Sequence, residues 1–271
     1  MELTVVGCSG STSGLGSPAS SYLVRAPYQG RTFSLVLDLG PGAFGHLYRY
    51  LHPREVDAIA LSHLHPDHCL DVCAYHVAAR YSEPARPWPA IPLFGPAGTR
   101  ERIRQAYAVP GPAPDRGPGI EDQFEHCTWA PEQQIGPFRV STALVAHTVE
   151  AYAVRLVEDG PDGGTLVYSG DTGPCEALVE LAHGADVLLA ESAFLEGPDN
   201  PAGVHLTGRQ AAEAAERAGA GRLVLTHVPP WHDPEAVRAE ALPHFRGPVD
   251  LASAGARWSV RRGGRTVSSG P

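Results

Sequence analysis

The chain has 271 residues and a formal net charge of −9, and all 21 of its basic side chains are Arg because Lys does not occur. With 43% hydrophobic and 19% charged residues, and Gly plus Pro at about a fifth of the chain, the composition excludes a disordered or low-complexity polymer and leaves one large domain or two small ones. An acidic balance with no basic run argues against a broad polyanion-binding surface, and 13 His residues stand out against that background.

Leu3–Gly7, Tyr22–Arg25 and Ser34–Asp38 are predicted strands, separated by Gly, Ser and Pro. A short helix is expected at Phe44–Leu51, and the apolar run Asp57–Ser62 has the length of a buried strand and leads straight into His63. Leu70–Tyr81 is a predicted helix on which Leu70, Cys73, Val77 and Arg80 fall at helical spacing, so Cys69 and Cys73 are expected to pack and not to bind metal. Ile91–Phe94 reads as a strand and Thr99–Ala108 as a helix that stops before Pro110. The Pro- and Gly-rich segment 109–122 is denied regular structure and is a candidate lid.

In the second half, Phe138–Val145, Ala151–Val157 and Thr165–Ser169 are predicted strands, the last two joined by a Gly-rich turn at 159–164. A helix at Cys175–His183 precedes the strand Asp186–Ala190. Thr207 and Gln210 fit a capping box that opens a helix running to Ala218, where Gly219 ends it before the strand Arg222–Thr226. A last helix, with Asp233 as N-cap and Pro234 at its first position, reaches about Leu242, and strands follow at Val249–Ala252 and Trp258–Arg261. No composition shift marks a linker, so residues 1–271 are expected to form a single mixed α/β layered domain. Periodicity leaves open whether its sheets stack on each other.

The five cysteines form no CxxC pair and are odd in number, so a disulfide framework is not expected. Neither a signal-peptide pattern nor a run of 18 apolar residues is found, and the expectation is a cytoplasmic protein with no membrane partner.

The densest chemical signal is His63-Leu64-His65-Pro66-Asp67-His68, four ligand-capable side chains directly after a buried-type strand, in a stretch that Pro66 is expected to keep as a loop. Neutral imidazole and carboxylate suit zinc and related divalent ions. His147, Asp171 and His227 each follow an apolar strand as well, and strand ends are where α/β proteins place their sites.

The run HLHPDH with later His147, Asp171 and His227 resembles the metallo-β-lactamase-fold hydrolases and their pattern HxHxDH…H…D…H, over nearly the whole chain. That resemblance implies a four-layer αββα sandwich, two stacked mixed β-sheets flanked by helices. It also implies two divalent ions, zinc being expected and manganese or iron compatible with the same ligands. His63, His65 and His147 would hold the first ion, Asp67, His68 and His227 the second, and Asp171 would bridge them. A hydroxide shared by the ions is then the nucleophile, with no Ser or Cys needed.

Glu191 after a strand and His205 in His205-Leu206-Thr207 are similar to the acid pair of the tRNA 3′-processing endonucleases (RNase Z), with Leu206 where that branch has Ser. A His held by a carboxylate can protonate a poor alkoxide leaving group. Two departures point away from the endonucleases: the short interval from His147 to Asp171 leaves no room for their tRNA-gripping arm, and Val228-Pro229-Pro230-Trp231 follows His227 where an Arg-containing segment is expected. The stretches GCSGS, SPAS, SHLHPDHCLD, AHTVEAYAVRL, YSGDTG, HLTG and LTHVPPW resemble the arm-less cyclic-nucleotide phosphodiesterases of the actinobacterial type.

That likeness implies a small anionic phosphodiester substrate, foremost a 3′,5′-cyclic nucleotide, with Asp67, Glu191 and His205 in catalysis and a homodimer as a common family state. Large folded RNA is not expected as a partner. The rival readings are an endonuclease on RNA ends and a lactone, thioester or β-lactam hydrolase. A metal-dependent nucleotide-binding module is the non-enzymatic alternative. Asp38 reads equally as an acceptor for a metal-bound His or as a turn cap, and Trp231 as a base-stacking or a buried packing residue. The Ser-rich stretch 9–21 reads as a phosphate contact or a plain turn.

Overall fold

A computed structural model describes residues 1–83, 86, 88–108, 119–263 and 268–269. Strands Glu2–Gly7 (β1), Ser21–Tyr28 (β2), Arg31–Leu37 (β3), Ala58–Ala60 (β4), Ile91–Gly95 (β5) and Phe124–Thr128 (β6) build one sheet. Glu132–Ile135 (β7), Phe138–Leu144 (β8), Tyr152–Glu158 (β9), Thr165–Tyr168 (β10), Val187–Glu191 (β11), Leu223–Thr226 (β12) and Val249–Leu251 (β13) build the other. The chain then returns to the first sheet with Arg257–Ser259 (β14) and Ser268–Ser269 (β15). The orders are β15-β14-β1-β2-β3-β4-β5-β6 and β13-β12-β11-β10-β9-β8-β7.

Period-two alternation decides which face each side chain enters. Tyr22, Val24 and Ala26 of β2, with Val187 and Leu189 of β11, fill the core between the two sheets, whereas Leu23 and Leu188 point to the outer cores. On the first sheet that outer core is closed by Ala43–Leu47 (α1), Val72–Tyr81 (α3) and Thr99–Tyr107 (α4). On the second it is closed by Glu176–Leu181 (α5), Gly208–Ala218 (α6) and Pro234–Ala241 (α7). The arrangement is the four-layer αββα sandwich. Both sheets are covered on both faces, which is why β1, β2 and β11 read as nearly continuous apolar runs. Phe138 is fully buried in the inner core with its ring edge-on to Phe33 at 6.2 Å. Phe138→Ala is expected to cost about 3–5 kcal/mol in denaturant unfolding.

Several sequence expectations are corrected. Residues 66–69 form a helical turn (Pro66–Cys69, α2) and not a loop, because Pro at the first helical position lacks only an N–H that would have no partner there. His65, extended at φ −64°, ψ 150°, is its N-cap. The helix expected from Leu70 starts at Val72 as α3, the one from Phe44 closes at Leu47, and the strand expected over Asp57–Ser62 pairs only at Ala58–Ala60. Strands β6 and β7 gave no sequence signal: they lie at sheet edges, and polar FEHCT and EQQI carry no hydrophobic alternation. Of the candidate lid, residues 109–118 lie outside the described residues, while Ile120–Gln123 is a single 3₁₀ turn with Ile120 in the first outer core.

Candidate metal centre

The site gathers where strands end. Parallel pairing of β3, β4 and β5, and of β10, β11, β12 and β13, sets their C-terminal ends side by side. Asp38 follows β3, His63 follows β4 and Asp171 follows β10, while Glu191 ends β11 and His227 follows β12. His147 comes from the connection between β8 and β9.

Two clusters of ligand atoms face each other. His63 Nε2 lies 3.1 Å and His147 Nε2 3.2 Å from His65 Nδ1, so three imidazole nitrogens converge on one point. In the second cluster, Asp67 Oδ2 is 3.4 Å from His68 Nε2 and 3.8 Å from His227 Nε2. Asp171 faces both. Its Oδ1 is 3.2 Å from His68 Nε2, and its Oδ2 is 3.2 Å from His227 Nε2 and 3.7 Å from His63 Nε2. His63, His65 and His147 form one group with ligand atoms within 4.8 Å of each other, and Asp67, His68, Asp171 and His227 form another.

Whether a metal suits these groups is decided by polar atoms that protein alone does not satisfy. His68 Nε2 and Asp171 Oδ1 are buried without a hydrogen-bond partner, a state that costs free energy unless an ion takes it up. The other nitrogen of four of these rings is anchored from outside. His63 Nδ1 pairs with Ser62 Oγ at 3.1 Å, His68 Nδ1 with Asp38 Oδ2 at 2.7 Å, His147 Nδ1 with the Val204 carbonyl at 2.8 Å and His227 Nδ1 with Ser20 Oγ at 2.9 Å. Anchoring of this kind aims a lone pair inward and is the usual support of metal-binding imidazoles. The donor set of imidazole nitrogens and carboxylate oxygens fits divalent metal ions.

Asp38 settles on the first of its two readings. Its carboxylate accepts from the Ser62 N–H (2.7 Å), Ser62 Oγ (2.8 Å), His68 Nδ1 and the Tyr168 hydroxyl (2.7 Å), joining the two sheets beneath the site. To do so it holds a left-handed backbone at φ 57°, and His227 at 59° and Ser11 at 61° share that conformation, a strain that surrounding contacts must sustain. Asp38→Asn keeps the shape and tolerates the backbone. It is expected to weaken metal binding about 10- to 100-fold in a chelator competition while leaving the circular dichroism spectrum unchanged.

Next to Asp171 stands the third group. Glu191 is fully buried, with Oε1 accepting from His205 Nδ1 (2.8 Å) and the Thr172 N–H (2.9 Å) and Oε2 from the Ala193 N–H (3.0 Å). His205 is thereby left with Nε2 for a bound molecule, its ring 5.4 Å from His147 and 5.7 Å from His227 between centroids. Thr207 makes the expected capping box with Gln210, which fixes where His205 sits relative to α6. Leu206 is buried in the outer core, a place that suits an apolar side chain.

Residues 34–228 match the Beta-lactamase superfamily domain. The chain belongs to the β-lactamase superfamily of metallo-hydrolases. It is 42% identical over 266 residues to the uncharacterized protein Rv1339 of Mycobacterium tuberculosis, covering 97% of this chain and 94% of that one. The metallo-β-lactamase fold protein YhfI from Bacillus subtilis superposes with a TM-score of 0.81 at 27% identity, over 95% of this chain and 98% of the other. Ribonuclease Z of Myxococcus xanthus is 29% identical over 303 residues, covering 93% and 95%.

In this superfamily member the electrostatics of the site follow from burial and from the balance of its carboxylates and imidazoles. Burial holds His63 well below the usual His range and lowers His65 and His227, which favours their neutral form. For His68 burial also disfavours the charge, but Asp171 and Asp38 outweigh it and raise the group well above its usual value. Asp67 and Asp171 run the other way: burial would raise them, and the neighbouring imidazoles pull both down. His205 is opposed by burial and raised on balance by its hydrogen bond and charge contact with Glu191.

Other sequence readings resolve as follows. Trp231 is 64% exposed, which overturns the buried packing reading. Cys69 is buried in the first outer core and Cys73 packs against it, as expected. Ser20, Val204 and Tyr168 were not legible as supports of the site, since each acts across a long stretch of sequence, and Ser62, although next to His63, takes its other side-chain partner from Asp38, 24 residues away. Among the described residues no helix is long and apolar enough to cross a membrane.

Proposed function

We propose that this metallo-hydrolase is a di-metal phosphodiesterase that hydrolyses a small phosphodiester, a 3′,5′-cyclic nucleotide, to the 5′-monophosphate. The observation that carries it is the Glu191–His205 pair, 2.8 Å apart and directly beside Asp171. His63, His65 and His147 would hold one ion, Asp67, His68 and His227 the other, and Asp171 lies where it can touch both. When bound, two such ions, zinc being expected, supply Lewis acidity toward the phosphoryl oxygens and a water acidic enough to serve as nucleophile near neutral pH.

The chain's own residues supply the rest. Glu191 fixes the His205 tautomer through Nδ1 and favours its protonated form, and Nε2 gives the proton to the departing 3′ oxygen. Hydrolysis of a lactone, thioester or β-lactam gives this pair no specific task. A small substrate is supported by the connection from His147 to Asp171, which the β9–β10 hairpin fills without any projecting arm. The second reading, an endonuclease on RNA ends, is favoured by the likeness to Ribonuclease Z.

The test compares cyclic AMP, precursor tRNA and a carboxyl-ester panel at equal concentration of metal-loaded enzyme. Cyclic AMP is expected to turn over fastest. Faster cleavage of precursor tRNA moves the assignment to the endonuclease, and turnover confined to the esters rejects both.

A further inference from the structure

A cavity is lined by Leu225, Thr226 and Val228, the residues on either side of His227. Its volume is about 390 Å³, within the range of roughly 300–1,000 Å³ usual for small-molecule sites. Leu225, Val228, Pro229, Pro230 and Leu251 give it apolar walls, and among the described residues no Asp, Glu or Arg lines it. Walls with no fixed cation compensate a phosphate or carboxylate poorly, so the cavity suits a neutral occupant.

Ser9, Ser17, Thr226, His232 and Ser253 bring polar side chains to the lining, and Ser9 is the one that matters here. Ser9 is 6% exposed and lines the cavity, and its Oγ has no hydrogen-bond partner. Gly14 of the opposing loop leaves this hydroxyl room, since a Cβ there would stand 3.2 Å from Ser9 Oγ and 3.1 Å from Pro230. Unlike the other unpaired buried hydroxyls, Thr4 Oγ1 and Ser21 Oγ, this one borders a cavity, where a ligand atom can complete it. Of the lining, Leu15 is fully exposed, and the exposed Trp231, which is not itself in the wall, lies in sequence between the lining residues Pro230 and His232 with its ring 6.3 Å from that of His232. An exposed indole beside apolar walls is a surface on which flat rings stack.

The wall is shared with the metal centre. Ser9 bridges Val228, the Gly10 N–H donates to the Val228 carbonyl at 3.1 Å, and the Ser11 N–H lies 3.3 Å from His227 Nε2. A Cβ on Gly10 would overlap the His227 carbonyl, so the two loops are in direct contact.

We infer that this cavity binds a neutral heteroaromatic ring of purine size, with a hydrogen bond to Ser9 Oγ and apolar contact to the walls. The ring is either the base of the enzyme's own substrate, which rests on the phosphodiesterase reading, or that of a separate nucleoside. Adenosine, uncharged, is the probe. Titrated calorimetrically into the metal-loaded protein at millimolar concentration, it is expected to bind, and Ser253→Trp, which fills the cavity from an exposed lining position, is expected to abolish binding.

Ser9→Ala removes a hydroxyl with no partner in the fold, so it leaves stability intact and weakens adenosine by roughly 2- to 12-fold, the span of one neutral hydrogen bond. Trp231→Ala, also exposed, lowers affinity in the same direction. If Ser253→Trp raises KM for cyclic AMP and leaves bis-p-nitrophenyl phosphate turnover unchanged, the ring belongs to the substrate. If adenosine binding is lost while cyclic AMP kinetics stay the same, the ligand is separate. Adenosine that fails to bind the parent protein, or binds Ser253→Trp equally well, overturns the inference. Absence of any phosphodiester turnover defeats the proposed function alone, since the adenosine titration reads without it.

Discussion

Asp171→Ala is expected to strip metal from the protein and to lower hydrolysis by more than about 100-fold, because even outer partners of metal ligands cost roughly 10- to 100-fold when removed. The reason is geometric. Asp171 is the only carboxylate of the site with one oxygen within 3.2 Å of His68 Nε2 and the other within 3.2 Å of His227 Nε2, while also approaching His63 at 3.7 Å. Removing it leaves His68 without one of the two anions that favour its charge, leaves the second cluster short of a ligand atom and takes away the carboxylate that approaches the first at His63. Elemental analysis after gel filtration checks the result against the parent chain. Two metals retained per chain in the variant would contradict the bridging position of Asp171. Asp171→Asn, which preserves volume in this buried position, separates loss of the ligand from loss of packing.

His205→Ala is expected to retain the metal content of the parent and to lose about 10²- to 10⁴-fold in turnover of a cyclic nucleotide, the usual contribution of a general acid. With bis-p-nitrophenyl phosphate the loss is expected to be far smaller, because p-nitrophenolate departs without a proton. Glu191→Gln is expected to follow the same selectivity. It leaves His205 in place and removes the charge that favours its protonated form. An equal loss on both substrates would show that His205 acts elsewhere than on the leaving group. Steady-state kinetics of the variants on the two substrates, with metal content measured on the same preparations, provides the comparison.

Much of the site was legible because it is local or ends an apolar strand. His63, His65, Asp67 and His68 crowd into six residues, and His147, Asp171 and His227 each close a recognisable hydrophobic run. The capping box of α6 and the Pro-initiated start of α7 were legible for the same reason, since a cap is a contact between residues two or three apart. Edge strands β6 and β7 were not, because pairing through backbone groups at a polar edge leaves little trace in side-chain pattern. Pro66 misled for a related reason: its ring forbids helix at the residue before it and favours helix at the residue that carries it.

By itself, then, the sequence determined which side chains offer nitrogen or oxygen to a cation, which runs are buried, and that the chain is acidic with no run of basic residues. Tertiary structure alone decided that Asp38, anchored by its left-handed backbone, holds His68, Ser62 and Tyr168 together across two sheets. It alone decided that Glu191 and His205 meet, that Ser20 and Val204 orient His227 and His147, and that an apolar cavity backs the His227 wall. Those contacts span tens to hundreds of residues and often use a backbone atom on one side, so composition and periodicity carry no record of them. They form only when parallel pairing brings the strand ends to one rim and the two sheets close over a common core.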